Sequence, residues 1–301
     1  MKEKTQNFVC GAVAIIGRPN VGKSTFLNHS IGQKISITSR KPQTTRHQIL
    51  GIKTSGNSQI VYVDTPGLQL NPDRALNRGM NKEVMRAIVE VDVVLFIVEA
   101  GKWTAADENT LVLIKQSNVK AILVVNKIDK IKNKKDLLPY IKKITELMEF
   151  VEVIPTAATK NDNISTVEDA IIKCLPVADP WFSEDQITDR SVRFLAAEMI
   201  REKLTRKLGD ELPYRLNVTI DQFKEDETLA HIHATIWVES KGQKKIVIGK
   251  NGSILKSVGE EARYDMQVMI DKKVFLETWV KVKEKWSDNV NALNQFGLSS
   301  E

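Results

Sequence analysis

One stretch, "GRPNVGKS" at residues 17–24, limits the fold of this chain more than any other. It reads G-x-x-x-x-G-K-S, it follows the apolar run "CGAVAIIG", and it leads into a helical pattern, "GKSTFLNHSIG". A glycine loop between a strand and a helix points its backbone N–H groups at phosphate oxygens, and the helix N-terminus adds its dipole. Gly17, Asn20, Val21, Gly22, Lys23, Ser24 and Thr25 are the expected ligand contacts. Lys23 is placed to reach the β- and γ-phosphates and Ser24 to hold Mg²⁺.

The pattern around this loop is repetitive. "QIVYVDTPG" (59–67), "VDVVLFIVEA" (91–100), "KAILVVNKID" (120–129) and "VEVIPTA" (151–157) join the first run as strand candidates. Most are continuously apolar, as in strands covered on both faces. Helical patterns such as "DENTLVLIKQS" and "KDLLPYIKKITELM" separate them. Strand followed by helix, repeated, implies a mostly parallel sheet with helices on both faces, an α/β domain.

The loop alone does not choose a nucleotide. "DTPG" (64–67) closes the second strand. Asp64 there can hold Mg²⁺ through water, and the Gly67 N–H can meet a γ-phosphate, because ligands of open α/β sheets sit at strand C-termini. "NKID" (126–129) selects guanine. A carboxylate accepts from the N1–H and N2 amino groups of guanine, and adenine has no such donor pair. Asn126 and Asp129 are the expected guanine contacts, with the Lys127 stem along the ring. A rival, "NKKD" at 133–136, lacks a preceding strand and reads as a solvated helix start.

In order and spacing these motifs resemble the translation-factor-like class of GTPases. That resemblance implies three further assignments. In "QTTR" (43–46), Thr45 would hold Mg²⁺ when the γ-phosphate is present. In GTPases with a similar "GRPNVGKS" loop the asparagine, here Asn20, holds K⁺ where an arginine finger otherwise places its charge, so hydrolysis is expected to be slow and faster in K⁺ than in Na⁺. "PTAATKND" (155–162) occupies the fifth guanine motif, usually Ser-Ala. Here it is Ala157-Ala158: the Ala158 N–H remains as a donor to guanine O6, and the serine hydroxyl is missing. Leu68 stands where many GTPases place a water-orienting glutamine, and it can neither hydrogen-bond nor transfer a proton.

At 301 residues the chain has room for two domains. The pattern changes near residue 175, where "LPVADPWFSEDQITD" reads as a linker. A long helix over 189–209 follows, then strands in "PYRLNVTIDQF" and "LAHIHATIWVES", a glycine loop, a helix and a third strand in "KVFLETWVKVKEKW". The expected division is 1–176, a linker at 177–188, and a small α+β unit at 189–301.

Net charge is +6, but residues 181–301 hold 19 Lys+Arg against 20 Asp+Glu, so any basic site there is local. Such a patch exists: five lysines and no acid between Lys241 and Lys256. At its centre lies "IVIGKNGSILK" (246–256). G-x-x-G beside a helix is the loop with which KH domains clamp single-stranded RNA. The expected RNA contacts are Lys244, Lys245, Ile248, Gly249, Lys250, Asn251, Gly252 and Lys256. Trp237, Trp279 and Trp286 fit core or rim packing better than base stacking. A module that docks protein or membrane is the alternative for this half, and an ATPase for the first half.

Nothing else in the sequence adds a site. Cys10 and Cys174 lack metal or redox spacing and read as free thiols in a reducing compartment. "HIH" (231–233) has no further ligand near it in sequence. "MKEKTQNFVCGAVAIIG" superficially resembles a signal peptide but reads as a buried first strand, and no apolar run reaches the roughly 18–20 residues of a membrane span. A cytoplasmic protein is expected.

"QKISITSRKPQTTRH", "DTPGL", "ITDRSVRFLAAEMIREKL", "GQKKIVIGKNGSILK" and "WVKVKEKW" together resemble the Era family of bacterial ribosome-assembly GTPases over nearly the whole chain. The resemblance implies a P-loop GTPase domain followed by a type II KH domain. It implies GTP and GDP as ligands, binding to the 3′ end of 16S ribosomal RNA that GTP favours, and a role in small-subunit maturation. It also implies peripheral contact to the inner membrane face, and a monomer is expected.

Overall fold

The structure, a computed structural model, describes residues 7–38, 48–67, 75–209, 212–289 and Phe296. The chain forms two compact units: Met1–Ser36, Thr45–Pro72 and Met80–Asp189 make up the first, and Arg190–Glu301 with the segments Ile37–Thr44 and Asp73–Gly79 the second.

The first unit comprises β1 (Val9–Ile16), α1 (Lys23–Ile31), β2 (Ile49–Ser55), β3 (Ser58–Asp64), α2 (Ala75–Val89), β4 (Val93–Glu99), α3 (Ala105–Ser117), β5 (Lys120–Asn126), α4 (Leu137–Thr145), β6 (Glu152–Thr156) and α5 (Ile164–Ile172). The sheet order is β2-β3-β1-β4-β5-β6, parallel except for β2. The opening apolar run is thus a central strand, buried from Cys10 to Ile16. Continuous runs such as "VVLFIV" and "AILVVN" are buried throughout, since helices cover both faces of the sheet. Phe96, Val98, Leu123 and Val125 pack with Leu111 and Ile114 of α3 on one face.

The edge strand β2 is absent from the sequence reading. It carries polar residues at its end, and its signal is the turn after it, where Gly56 has φ 54° and closes a hairpin onto β3. The segment read as a linker is tied to the first unit. Gln59 accepts from the N–H groups of Trp181 and Phe182 and donates to the Phe182 carbonyl, and Ile52 N–H donates to Ile187 O.

The second unit comprises α6 (Val192–Lys207), β7 (Leu216–Glu225), β8 (Leu229–Val238), α7 (Lys241–Ile248), α8 (Ser253–Ile270) and β9 (Lys273–Val282). This is an α+β unit as expected, with the order α-β-β-α-α-β; α7, before the glycine loop, is one helix more than the sequence pattern shows. The "KIVI" that precedes the glycine loop is helical and belongs to α7. α6 starts later than the expected 189: Ser191 caps it by accepting from Phe194 N–H at 3.3 Å, and Asp189 instead accepts from Leu50 N–H. In the sheet β7-β8-β9, β8 is antiparallel to β7 and parallel to β9. A parallel pair requires a crossover, and α7 and α8 supply it. Met199, Ile200 and Leu204 of α6 pack with Val258, Ala262 and Met266 of α8 over Ile232, Ala234 and Ile236. Lys203–Asp265 at 2.6 Å and Lys207–Glu261 at 2.6 Å join the same two helices.

Trp286 is fully buried, with its indole N–H on Arg215 O at 3.3 Å. Trp237 donates to Thr219, and Trp279 lies edge-on to His233 at the sheet rim. Cys10 and Cys174 are free and buried. No group of three or more His, Cys, Asp or Glu poised for a metal occurs among the described residues.

Candidate functional site

Strand register brings the nucleotide motifs together. Ile15 of β1 is level with Asp64 of β3, Glu99 of β4 with Asn126 of β5, and Asn126 with Thr156 of β6. The motif residues therefore leave the sheet along one edge, beside the loop that follows β1. The chain passes from β1 to β3 on one side and then crosses to β4 on the other, so the strand order reverses at β1, the place where open α/β sheets bind ligands.

The loop has its shape because three residues take positive φ: Gly17 at 153°, Asn20 at 67° and Gly22 at 109°. A Cβ at Gly17 would stand 2.3 Å from Ile97 O, and one at Gly22 would stand 2.2 Å from Asn126 Nδ2, so both positions need glycine for close approach as well as for dihedral freedom. Lys23 folds back over the loop. Its ammonium donates to Gly17 O at 2.8 Å and Arg18 O at 3.2 Å. Burial pulls its pKa from 10.5 down to about 8; Asp64 opposes the shift and Arg18 adds to it.

Asp64 is buried at the end of β3. Its Oδ2 accepts from Ser24 Oγ at 3.1 Å and from Ser36 Oγ at 2.8 Å. Hydroxyl and carboxylate oxygens meeting beside a phosphate loop are the donor set that Mg²⁺ takes. Gly67 lies against the loop, since a Cβ there would stand 2.8 Å from Pro19 Cγ. Thr45 and Leu68 lie outside the described residues.

The guanine motif is fastened to the same loop. Asn126 Nδ2 donates to Val21 O at 2.8 Å, and Lys127 Nζ donates to Asn20 O at 2.5 Å. Lys127 itself has φ 65°, which turns its stem back toward the loop. Asp129 sits exposed in the single turn Ile128–Lys130. Ala158 N–H, the donor assigned to guanine O6, donates to Asn126 Oδ1 at 3.0 Å, because a buried amide oxygen takes the nearest available N–H. Ala157 N–H donates to Asp162 O. The rival "NKKD" is an exposed helix start, with Asn133 accepting from Lys135 N–H.

Ser36, Arg18 and Glu99 belong to this site and escaped the motif reading. Arg18 is nearly buried and bonds Glu99 and Asp107. The available signal for Glu99 is a carboxylate ending the otherwise apolar strand "VVLFIVE".

In the second unit, Ser240 caps α7 by accepting from Gln243 N–H, and the helix stops at Gly249. Gly249 has φ 76° and ψ 174°, a backbone region nearly exclusive to glycine, and a Cβ there would stand 2.7 Å from Ile254. Asn251 and Gly252 are left-handed, with φ 52° and 76°. A Cβ at Gly252 would meet nothing within 4 Å. The two glycines therefore differ: one faces the fold, the other faces open space. Lys245, Lys250, Asn251 and Lys256 are exposed around the loop, Lys244 is half-buried, and Ile248 packs on the core.

The known proteins this chain is similar to agree with that geometry. The model of a family described as "50S ribosome-binding GTPase" matches residues 12–127, and the KH domain model matches 211–287. GTPase Era of Marinobacter nauticus is 53% identical, over 96% of this chain and 95% of its own length. GTPase Era of Pseudomonas aeruginosa is 52% identical over 96% and 94%. The chain belongs to the GTPase Era family. Solved Era structures superpose on it closely. The crystal structure of Era with MgGDPNP and nucleotides 1506–1542 of 16S ribosomal RNA has a TM-score of 0.93 at 38% identity, covering 97% of this chain and 100% of that one. An Aquifex aeolicus Era variant bound to GDP and aluminium fluoride also gives 0.93, at 37% identity and the same coverage.

Proposed function

We propose that this Era-family GTPase binds GTP with Mg²⁺, hydrolyses it slowly, and binds the single-stranded 3′ end of 16S ribosomal RNA during assembly of the small ribosomal subunit. The observation that carries the nucleotide half is the row of strand-end residues, Asp64 and Asn126, fastened to a loop whose lysine already lies over it. The RNA half rests on the open glycine loop among lysines, together with a relative solved with that RNA.

Ser24 and Asp64 would hold the magnesium ion, with Thr45 adding a hydroxyl in the GTP state. The ion neutralises charge on the β- and γ-phosphates when bound. Lys23 reaches the same phosphates, and Gly67 N–H the γ-phosphate. Asn20 would hold K⁺, which would supply the charge that an arginine finger supplies elsewhere. Asp129 reads the guanine edge, beside Asn126, Lys127 and the Ala157-Ala158 loop.

RNA is held at Lys244, Lys245, Ile248, Gly249, Lys250, Asn251, Gly252 and Lys256, and the GTP form binds it more tightly. The protein acts as a cytoplasmic monomer with peripheral contact to the inner membrane face. Among the described residues no helix is long and apolar enough to cross a membrane.

Nucleotide competition tests the guanine assignment. Asp129→Asn exchanges the acceptor pair for an amide, so GTP binding weakens and xanthosine triphosphate gains. Unchanged preference for GTP would remove Asp129 from the base site.

A further inference from the structure

Glu99 ends β4 one strand away from the phosphate loop, and its carboxylate serves two motifs at once. Arg18 Nη2 donates to Glu99 Oε2 at 3.0 Å, and Lys127 Nζ lies 3.2 Å from the same oxygen. Arg18 belongs to "GRPNVGKS" and Lys127 to "NKID". The side chains of Arg18, Lys127 and Glu99 are only 10%, 20% and 20% exposed, so solvent screens these pairs little.

Each cation has one further anchor. Arg18 Nε donates to Asp107 Oδ2 at 3.1 Å, an oxygen that also accepts from Thr104 N–H and Thr104 Oγ in the cap of α3. Lys127 Nζ donates to Asn20 O. Tyr140 O–H donates to the Glu99 carbonyl and holds that residue's backbone. Arg18 and Lys127 would therefore keep a partner each without Glu99, but nothing charged would join them.

We propose that Glu99 is a positioning residue for guanine-nucleotide binding. Its carboxylate holds the phosphate loop, through Arg18, in register with the guanine motif, through Lys127. The base packs along the Lys127 stem, so a stem fixed at its tip presents a preorganised face. Glu99 touches no reacting atom in this assignment. It acts through the lysine that borders the base and through the loop that borders the phosphates. The proposal rests on the guanine-nucleotide reading of the site.

The test is release of a fluorescent GDP analogue from the full-length protein. The variants are Glu99→Gln, Lys127→Met, Arg18→Met, and each pairing of the first with the other two. Glu99→Gln is expected to speed release about tenfold in the wild-type background and less than about twofold where Lys127 or Arg18 is already changed. It is expected to raise KM for GTP by a larger factor than it lowers kcat, since Glu99 touches no reacting atom. Glu99→Asp, which keeps the charge, is expected to recover part of the loss. A loss of general fold stability alone would give the same factor in every background and no recovery by aspartate. That outcome, or unchanged release in Glu99→Gln, overturns the proposal. Failure of the unaltered protein to hold the GDP analogue would instead overturn the nucleotide reading itself.

Discussion

Asn126 and Val21 are joined by a buried hydrogen bond of 2.8 Å, from the side-chain amide of one to the carbonyl of the other. The bond links the end of β5 to the middle of the phosphate loop. The other end of the same amide accepts from Ala158 N–H, so a single side chain fastens three loops of the nucleotide site. Asn126→Ala removes both bonds and leaves a buried carbonyl and a buried N–H without partners. The expected loss in GDP binding is about 2–4 kcal/mol. Calorimetric titration of GDP checks it, and an unaltered affinity would mean that the loops hold their arrangement without the amide.

Lys23 makes nucleotide binding pH-dependent. Its pKa in the nucleotide-free protein is lowered to about 8, chiefly by burial. Below that pH the folded chain carries a buried charge that the unfolded chain carries in water, so the group opposes folding. As pH rises from about 8 toward 10.5 the folded group deprotonates first, the unfolded chain binds more protons, and the penalty fades. Phosphate favours the ammonium. GDP binding above about pH 8 is therefore accompanied by proton uptake and weakens as pH rises. Titrations in two buffers of different ionisation heat measure the uptake directly. No uptake at about pH 8.5 would contradict the shifted lysine.

Hydrolysis should respond to the monovalent cation. With Asn20 as a K⁺ ligand, GTP turnover is faster in KCl than in NaCl at equal ionic strength, and Asn20→Ala removes the difference. Phosphate release assayed in the two salts decides this, and equal rates for the unaltered protein would count against the assignment.

The two glycines of the second loop should separate folding from RNA binding. Gly252→Ala meets no neighbour, and its left-handed backbone costs about 1–2 kcal/mol. The added methyl occupies the space a phosphate needs, so RNA affinity falls far more than stability. Gly249→Ala collides with Ile254 at 2.7 Å and lowers stability as well. Lys245→Ala and Lys250→Ala leave folding alone and each reduce the slope of log K against log salt by about 0.7. Urea melts and RNA titrations across salt make the comparison. Equal behaviour of the two glycine variants would contradict the geometry.

The nucleotide site was legible because its motifs are local: a few adjacent residues at a strand end fix a loop whatever lies around it. Lys23, Asp64 and Asn126 stand where the pattern placed them. The relationships missed are those across the fold. Ser36 reaches Asp64 from 28 residues away, and Arg18 reaches Glu99 from 81 and Asp107 from 89, separations that no window of sequence spans. The edge strand β2 mixes buried Ile49, Gly51 and Ile52 with partly exposed Lys53 and Thr54, so it shows neither the continuous apolar run of the central strands nor a clean alternation. The helix α6 carries charges inward, and the Arg201–Glu198 pair, bidentate at 2.6 Å, satisfies them in a way that periodicity alone does not reveal.

The central claim is that one loop reads the nucleotide, the other reads RNA, and the first governs the second. The direct measurement titrates a short RNA matching the 3′ tail of 16S ribosomal RNA, at one fixed salt, against protein holding GDP or a non-hydrolysable GTP analogue, with a scrambled RNA as control. The account predicts tighter, sequence-dependent binding in the GTP form. Equal binding in both nucleotide states, or equal binding of the scrambled RNA, would contradict it.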